Sequence, residues 1–154
     1  MVIGEILDHA AIVARGSATN KRQALALVAD VAARNYGLEG SQVLEALSAR
    51  ELASSTGVGH GVAAPHARLP GVDRMHAVFV RLEVPIEFGA VDDQPVDLLL
   101  ALISPPDSGS EHLRALARVS RIFRQSNLRE QLRQARTADT ILALLSQDIQ
   151  STAA

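Results

Sequence analysis

The run Gly59-His60-Gly61-Val62-Ala63-Ala64-Pro65-His66-Ala67-Arg68 sets a polar imidazole among glycines, small apolar residues and a proline. An imidazole titrates near neutrality, and its neutral form is a nitrogen nucleophile as well as a hydrogen-bonding group. Pro65 fixes its own φ and biases Ala64 toward extended backbone, so the chain should enter His66 as a stiff strand end or turn. Gly57, Gly59 and Gly61 leave the approach uncrowded, which lets an anion or a charged partner come close to the ring and to backbone N–H groups. Taken by themselves, these residues fit a structural loop histidine as well as a nucleophile. Two further side chains carry charge or titrate at suggestive places. Arg50 precedes the glycine-rich run, where it would either meet an anion or simply neutralise the end of a helix. His112 follows a long apolar run and falls at the start of a helix. A protonated histidine there has the wrong sign for the positive end of the helix dipole, unless the ring stays neutral or an anion lies nearby. An exposed histidine without a role is the other reading.

The elements that must position these three residues follow from capping and periodicity. Asn20 with Gln23 predicts a capped helix whose apolar face is Ala24, Leu27, Val28, Val31 and Ala32, ended by Gly37. Ser41 is expected to cap a second helix through Val43, Leu44 and Leu47, which brings Arg50 near its C-terminal end. His76, Val78, Val80 and Leu82 alternate with Ala77, Phe79 and Arg81, the period of a strand with one face more buried than the other. Asp92-Asp93 lies between residues 88–91 and 96–103, which predicts a hairpin whose second arm is apolar on both faces and stops at Pro105-Pro106. Ser108 and Glu111 have capping-box spacing, predicting a helix through Leu113, Leu116, Ala117, Val119, Ile122 and Phe123 with His112 in its first turn. Asn127 with Glu130, and Thr137 ahead of Ile141, Leu144 and Leu145, mark two closing helices. Residues 147–154 lose periodicity and are expected to fray. The whole is expected to be one α/β or α+β domain over residues 1–154, with its core in about 6–145 and helices packed on a mixed sheet.

Composition narrows the function. The chain has 154 residues, 47% hydrophobic and 21% charged, values of an ordinary folded domain. There is no cysteine, so disulfides and thiolate metal sites are excluded. A formal net charge of −2 and 3% aromatics give neither the field nor the stacking platforms of a nucleic-acid binder. Glu5, Asp8 and His9 interrupt the opening residues where a secretory signal would be apolar, and the apolar run 98–103 is far too short to span a bilayer. A cytoplasmic protein without membrane insertion is expected.

The run Arg50-Glu51-Leu52-Ala53-Ser54-Ser55-Thr56-Gly57 leading to His66, together with Pro95-Val96-Asp97-Leu98-Leu99-Leu100-Ala101-Leu102-Ile103-Ser104-Pro105-Pro106 and Glu111-His112-Leu113, resembles the enzyme IIA family of the bacterial phosphotransferase system. The type is fructose–mannitol, and the likeness is greatest to the nitrogen-regulatory branch, in which the IIA domain is free-standing. It extends over about residues 6–145 and is most specific in 50–66; Ala67 stands where the family often has glycine. The resemblance implies a mixed sheet of about five strands flanked by helices. It implies that Nε2 of His66 accepts a phosphoryl group from a phosphohistidine on a small phosphocarrier of the HPr/NPr kind, with Nδ1–H held by a neighbouring acceptor. His112 would then donate to the phosphoryl oxygens and Arg50 would supply positive charge.

Ser55 and Thr56 are candidates for further phosphoryl donors, although both are also ordinary turn formers. Val62, Ala63, Ala64, Pro65 and Leu69 are expected to form a small apolar docking apron for transient exchange. Phosphorylation would set which regulatory partners bind, potassium-transport or sensor-kinase proteins among them. The alternative within the family is a IIA component of fructose- or mannitol-type sugar transport. No metal or other cofactor is called for, because a phosphoramidate donor is already activated. A remote alternative is a metal site built from His60, His66, His76 and His112, but no HxH or HExxH spacing supports it.

Overall fold

The computed structural model describes residues 3–147, so all but the first residue of the expected frayed tail lies outside the described residues. After two short 3-10 turns, strand β1 (Ile12–Gly16) leads into helices α1 (Lys21–Tyr36) and α2 (Gly40–Ala53). Three very short strands follow, β2 (Gly57–Gly59), β3 (Val62–Ala63) and β4 (His66–Arg68), then the long strands β5 (His76–Ile86) and β6 (Val96–Ser104). Helices α3 (Gly109–Phe123), α4 (Ser126–Gln134) and α5 (Ala138–Ser146) close the chain. The expected mixed sheet is present with six strands, in the order β1-β5-β6-β3-β2, and β4 also pairs with β6.

Local chemistry accounts for the helix ends. The Asn20 side chain accepts from Gln23 N at 2.9 Å, Gln23 Oε1 reaches back to Thr19 N at 2.9 Å, and Gly37 closes α1 at φ 67°. Replacing Asn20 by alanine strands the Gln23 N–H and is expected to cost about 1 kcal/mol. A drop of roughly 2–4 °C in the melting midpoint is the corresponding readout. Thr137 caps α5 as expected, accepting from Thr140 N. At α2 and α4 the capping rules place the starts wrongly. α2 begins at Gly40 with Glu39 at the cap, so Ser41 lies inside the helix. α4 begins at Ser126, ahead of Asn127. Ser108 does stand before α3, but its hydroxyl is buried without a hydrogen-bond partner; its carbonyl receives Glu111 N instead.

The sheet also corrects two expectations. Residues 88–91 are not a strand: the hairpin joins β5 to β6, pairing Ile86 with Val96, and Phe88 and Ala90 are buried loop residues between them. β5 shows no alternation over its first seven residues, because it lies between β1 and β6 with both faces covered. Arg81 is buried there, its guanidinium bonded to Arg133 O, Ala14 O and the Glu83 carboxylate. α1 packs on β5 and α2, α2 on β4, α3 on β6, and α5 on β1. Phe79 of β5 stacks on Phe123 of α3 at 6.4 Å.

Candidate functional site

The strands β3 and β4 lie end to end along β6, both parallel to it, and the residues between them are Ala64 and Pro65. Pro65 has no N–H to give to a ladder, but its carbonyl accepts Leu102 N at 2.9 Å, so β6 still grips the chain through the gap. Ala64 N turns the other way and donates to Thr56 O at 2.9 Å. His66 therefore opens β4 on a backbone held from both sides.

Its ring is fixed at both nitrogens. Nδ1 lies 2.8 Å from Ala64 O, a carbonyl that only accepts, so the proton sits on Nδ1. Nε2 receives a hydrogen bond from Arg50 Nε at 3.1 Å, which is the same tautomer reached from the other side. Arg50 occupies the last turn of α2 and is steadied by Ser54 O at 2.7 Å. Burial pulls the His66 imidazole below its ordinary 6.5; the Ala64 carbonyl opposes that and the Arg50 cation adds to it.

His112, in the first turn of α3, lies beside this ring, with centroids 5.4 Å apart and planes tilted by 58°. It is buried, and burial followed by the positive charge of Arg68 pushes its ring down to about 4, so it is neutral at physiological pH. That resolves the dipole mismatch through the neutral ring. Its Nδ1 lies 2.7 Å from Ser104 Oγ at the end of β6. A hydroxyl donating to Nδ1 leaves the ring proton on Nε2. Arg50, His66, Arg68 and His112 share an open cleft of about 480 Å³ with Ala46, Ala49, Ala67, Leu113 and Leu116.

The remaining expected site residues are placed differently. Thr56 is buried, and its N–H and hydroxyl both go to the Glu51 carboxylate. Ser55 Oγ donates to Phe88 O and receives Gly57 N. Both hydroxyls are spent on building the loop, which corrects their reading as phosphoryl donors. Val62, Ala63, Ala64, Pro65 and Leu69 are all buried, because β3 is an inner strand and Leu69 N ties the end of β4 to Ser104 O. They cannot form a docking apron; the apolar surface at the cleft comes from α2 and α3 instead. The four histidines do not converge. His60 sits at the tip of the β2–β3 turn, with φ 58°, held by the Asp92 carboxylate and Arg133. His76 stacks on Tyr36 at 4.1 Å. Among the described residues no three His, Asp or Glu side chains gather as a metal site.

Three residues at the site carry no expectation from the sequence. Ser104 is the lone hydroxyl at the end of an apolar strand, and Arg68 lies two residues from His66, hence on the same face of β4. Glu51 is an acid in the last turn of a helix, where the dipole disfavours it.

The sequence and the fold match one family. The model for the phosphoenolpyruvate-dependent sugar phosphotransferase system, EIIA 2, matches residues 5–148, and the chain belongs to that family. It is 38% identical over 146 residues to a nitrogen regulatory protein of Bradyrhizobium diazoefficiens, covering 95% of each chain. Nitrogen regulatory protein IIA-Ntr from Neisseria meningitidis superimposes with a TM-score of 0.88 at 36% identity, covering 93% of this chain and 98% of that one. The mannitol IIA of Escherichia coli shares the fold, with a TM-score of 0.77 at 20% identity over 90% of this chain and 97% of that one.

Proposed function

We propose that the protein is a phosphohistidine carrier of the nitrogen-regulatory kind, taking one phosphoryl group per chain on His66 Nε2 from a histidine phosphocarrier of the HPr/NPr type. The observation that carries this is the fixed tautomer: Nδ1–H on the Ala64 carbonyl and an unprotonated Nε2 at the cleft. The Nε2 lone pair forms the new N–P bond as the donor's N–P bond breaks, and no base has to remove a proton first. The ring gains positive charge in the step, which strengthens its Nδ1–H bond to Ala64 O. Arg50 must leave the lone pair as phosphorus approaches; its guanidinium is then within reach of the phosphoryl oxygens, where charge is spread in a loose transition state. His112 would donate Nε2–H to the same oxygens, its other nitrogen held by Ser104. Arg68 adds a second positive charge at the mouth of the cleft.

A small apolar rim around a charged centre suits brief exchange with a carrier. Two negative charges arriving there would change which partners dock, regulatory proteins such as potassium-transport or sensor-kinase components among them. The nitrogen-regulatory relatives align over nearly their whole length at well above the identity of the mannitol IIA, which favours regulation over dedicated sugar transport. No helix among the described residues is long and apolar enough to cross a membrane, which fits a cytoplasmic carrier.

The test is transfer from a phosphorylated carrier, generated with phosphoenolpyruvate and the general phosphotransferase enzyme, followed across pH. Because burial holds the His66 ring below its ordinary 6.5, protonation of the nucleophile should set in at lower pH than in a free imidazole, so its contribution to the rate should persist to more acid pH than a free imidazole's would. Stability should move in the opposite sense to a paired histidine. With His112 depressed to about 4, the unfolded chain binds a proton between pH 6.5 and about 4 that the folded chain refuses, so stability falls as pH falls through that window. No phosphoryl uptake from any such carrier would reject the proposal.

A further inference from the structure

The last turn of α2 reaches both nitrogens of the His66 ring, Nε2 directly through Arg50 and Nδ1 through a relay that begins at Glu51. We propose that Glu51 is a positioning residue for phosphoryl transfer, an inference that rests on His66 being the acceptor.

Glu51 is a carboxylate in an unfavourable place. It lies at the negative end of α2, where the helix dipole opposes it, and only 4% of its side chain is exposed. A buried acid there needs compensation, and it receives a full set of donors. Lys21 Nζ, reaching over from the first turn of α1, bonds Oε2 at 2.9 Å. Thr56 N lies 3.0 and 3.2 Å from the two oxygens, and the Thr56 hydroxyl donates to Oε1. Lys21 is itself held over the Phe88 ring at 4.6 Å, so the cation cannot easily swing away.

The consequence travels through the backbone. Glu51 pins Thr56; Thr56 O accepts Ala64 N at 2.9 Å; Ala64 O accepts His66 Nδ1–H at 2.8 Å. The last two links are one hydrogen bond each, and the final one decides which ring nitrogen keeps the proton. Pro65 makes the relay stiff between Ala64 and His66, since its φ is fixed. A cap or a neutral hydrogen bond would hold a loop equally well. A buried charge bonded to a backbone N–H is stronger and more directional, as suits a carbonyl that must meet an imidazole at one angle. Arg50 and Glu51 are neighbours on the helix, so tautomer and lone-pair orientation are set from a single rigid element.

The test uses Glu51→Gln and Thr56→Val in the full chain. Glu51→Gln keeps the shape and one acceptor while losing the negative charge that pairs with Lys21; Thr56→Val removes only the hydroxyl. The first readout is the nitrogen-15 spectrum of the imidazoles in the unphosphorylated protein at pH 7.5. Wild type should show His66 as a single tautomer protonated on Nδ1, and both variants should show shifts averaged between the two tautomers, with His112 unchanged. The second readout is the transfer rate, expected to fall by about tenfold to a hundredfold for a misaligned acceptor. An unchanged His66 tautomer together with a wild-type rate in the folded variants overturns the proposal, as does a loss of rate that leaves the His66 shifts where they were. If one variant does not fold, the same two readouts on the other decide. The tautomer measurement needs no phosphocarrier, so a relay that holds while no carrier phosphorylates the wild type would count against the acceptor role of His66 and not against the relay.

Discussion

His66→Ala is expected to give a folded protein that takes up no phosphoryl group at all. The ring is only partly buried, and its two hydrogen bonds go to groups that keep other partners or reach solvent. Arg50 retains Ser54 O, and the Ala64 carbonyl can turn to water in the opened cleft. The loss of stability should therefore stay within about 1 kcal/mol, the size of one ordinary intramolecular hydrogen bond. Function has no such reserve. His112 is a poor replacement for the missing nucleophile, because its ring is buried and its Nδ1 is held by Ser104 at 2.7 Å. Ser55 and Thr56 are no better, since their hydroxyls are tied into the loop. The measurement is the mass of the intact chain after incubation with phosphorylated carrier: one phosphate on wild type, acid-labile and alkali-stable, and none on the variant. Stoichiometric labelling of His66→Ala, or an acid-stable ester on either hydroxyl, contradicts the assignment.

His112→Ala should slow transfer by roughly 10²–10³, the usual cost of deleting one oriented donor to developing charge, while leaving the acceptor able to be labelled at long times. The open cleft moderates that figure at most toward its lower end. Stability should fall as well, because Ser104 Oγ is left buried without its partner, a loss of about 1–3 kcal/mol. Ser104→Ala separates the two effects. It keeps the His112 ring but frees its tautomer, so it should slow transfer less than His112→Ala does. Quenched-flow labelling in both directions, with melting curves taken beside it, reads the result. Wild-type rates for His112→Ala in both directions would leave the second histidine with a structural part only.

The sequence made some of this visible and hid the rest for identifiable reasons. His66, Arg50 and His112 are polar residues at breaks in apolar patterns, and each came to the same cleft. Helix starts were legible at Asn20, Ser108 and Thr137, although Ser108 makes no side-chain cap bond, and not at Glu39 and Gln125, where backbone or packing sets the end. β1 was missed because five residues carry little periodicity, and its ladder comes from β5 far along the chain. The run 62–65 looks like a surface apron in one dimension, since small apolar residues beside a loop histidine invite that reading. The sheet puts those residues inside by pairing β3 to β6. Likewise nothing local separates a turn-forming threonine from one whose donors serve a buried acid. Glu51 did carry a signal, its charge at the wrong end of a helix, and that signal needs the helix boundary before it can be read.

The central claim is that the phosphoryl group sits on Nε2 of His66, because the Ala64 carbonyl holds the proton on Nδ1. Phosphorus–nitrogen coupling in protein labelled with nitrogen-15 histidine, phosphorylated by the carrier and kept at alkaline pH, reports the bonded nitrogen directly. The expected result is a single coupling to Nε2 of His66, with His9, His60, His76 and His112 uncoupled. Coupling to Nδ1 of His66, or to any other histidine, would contradict the account at its root.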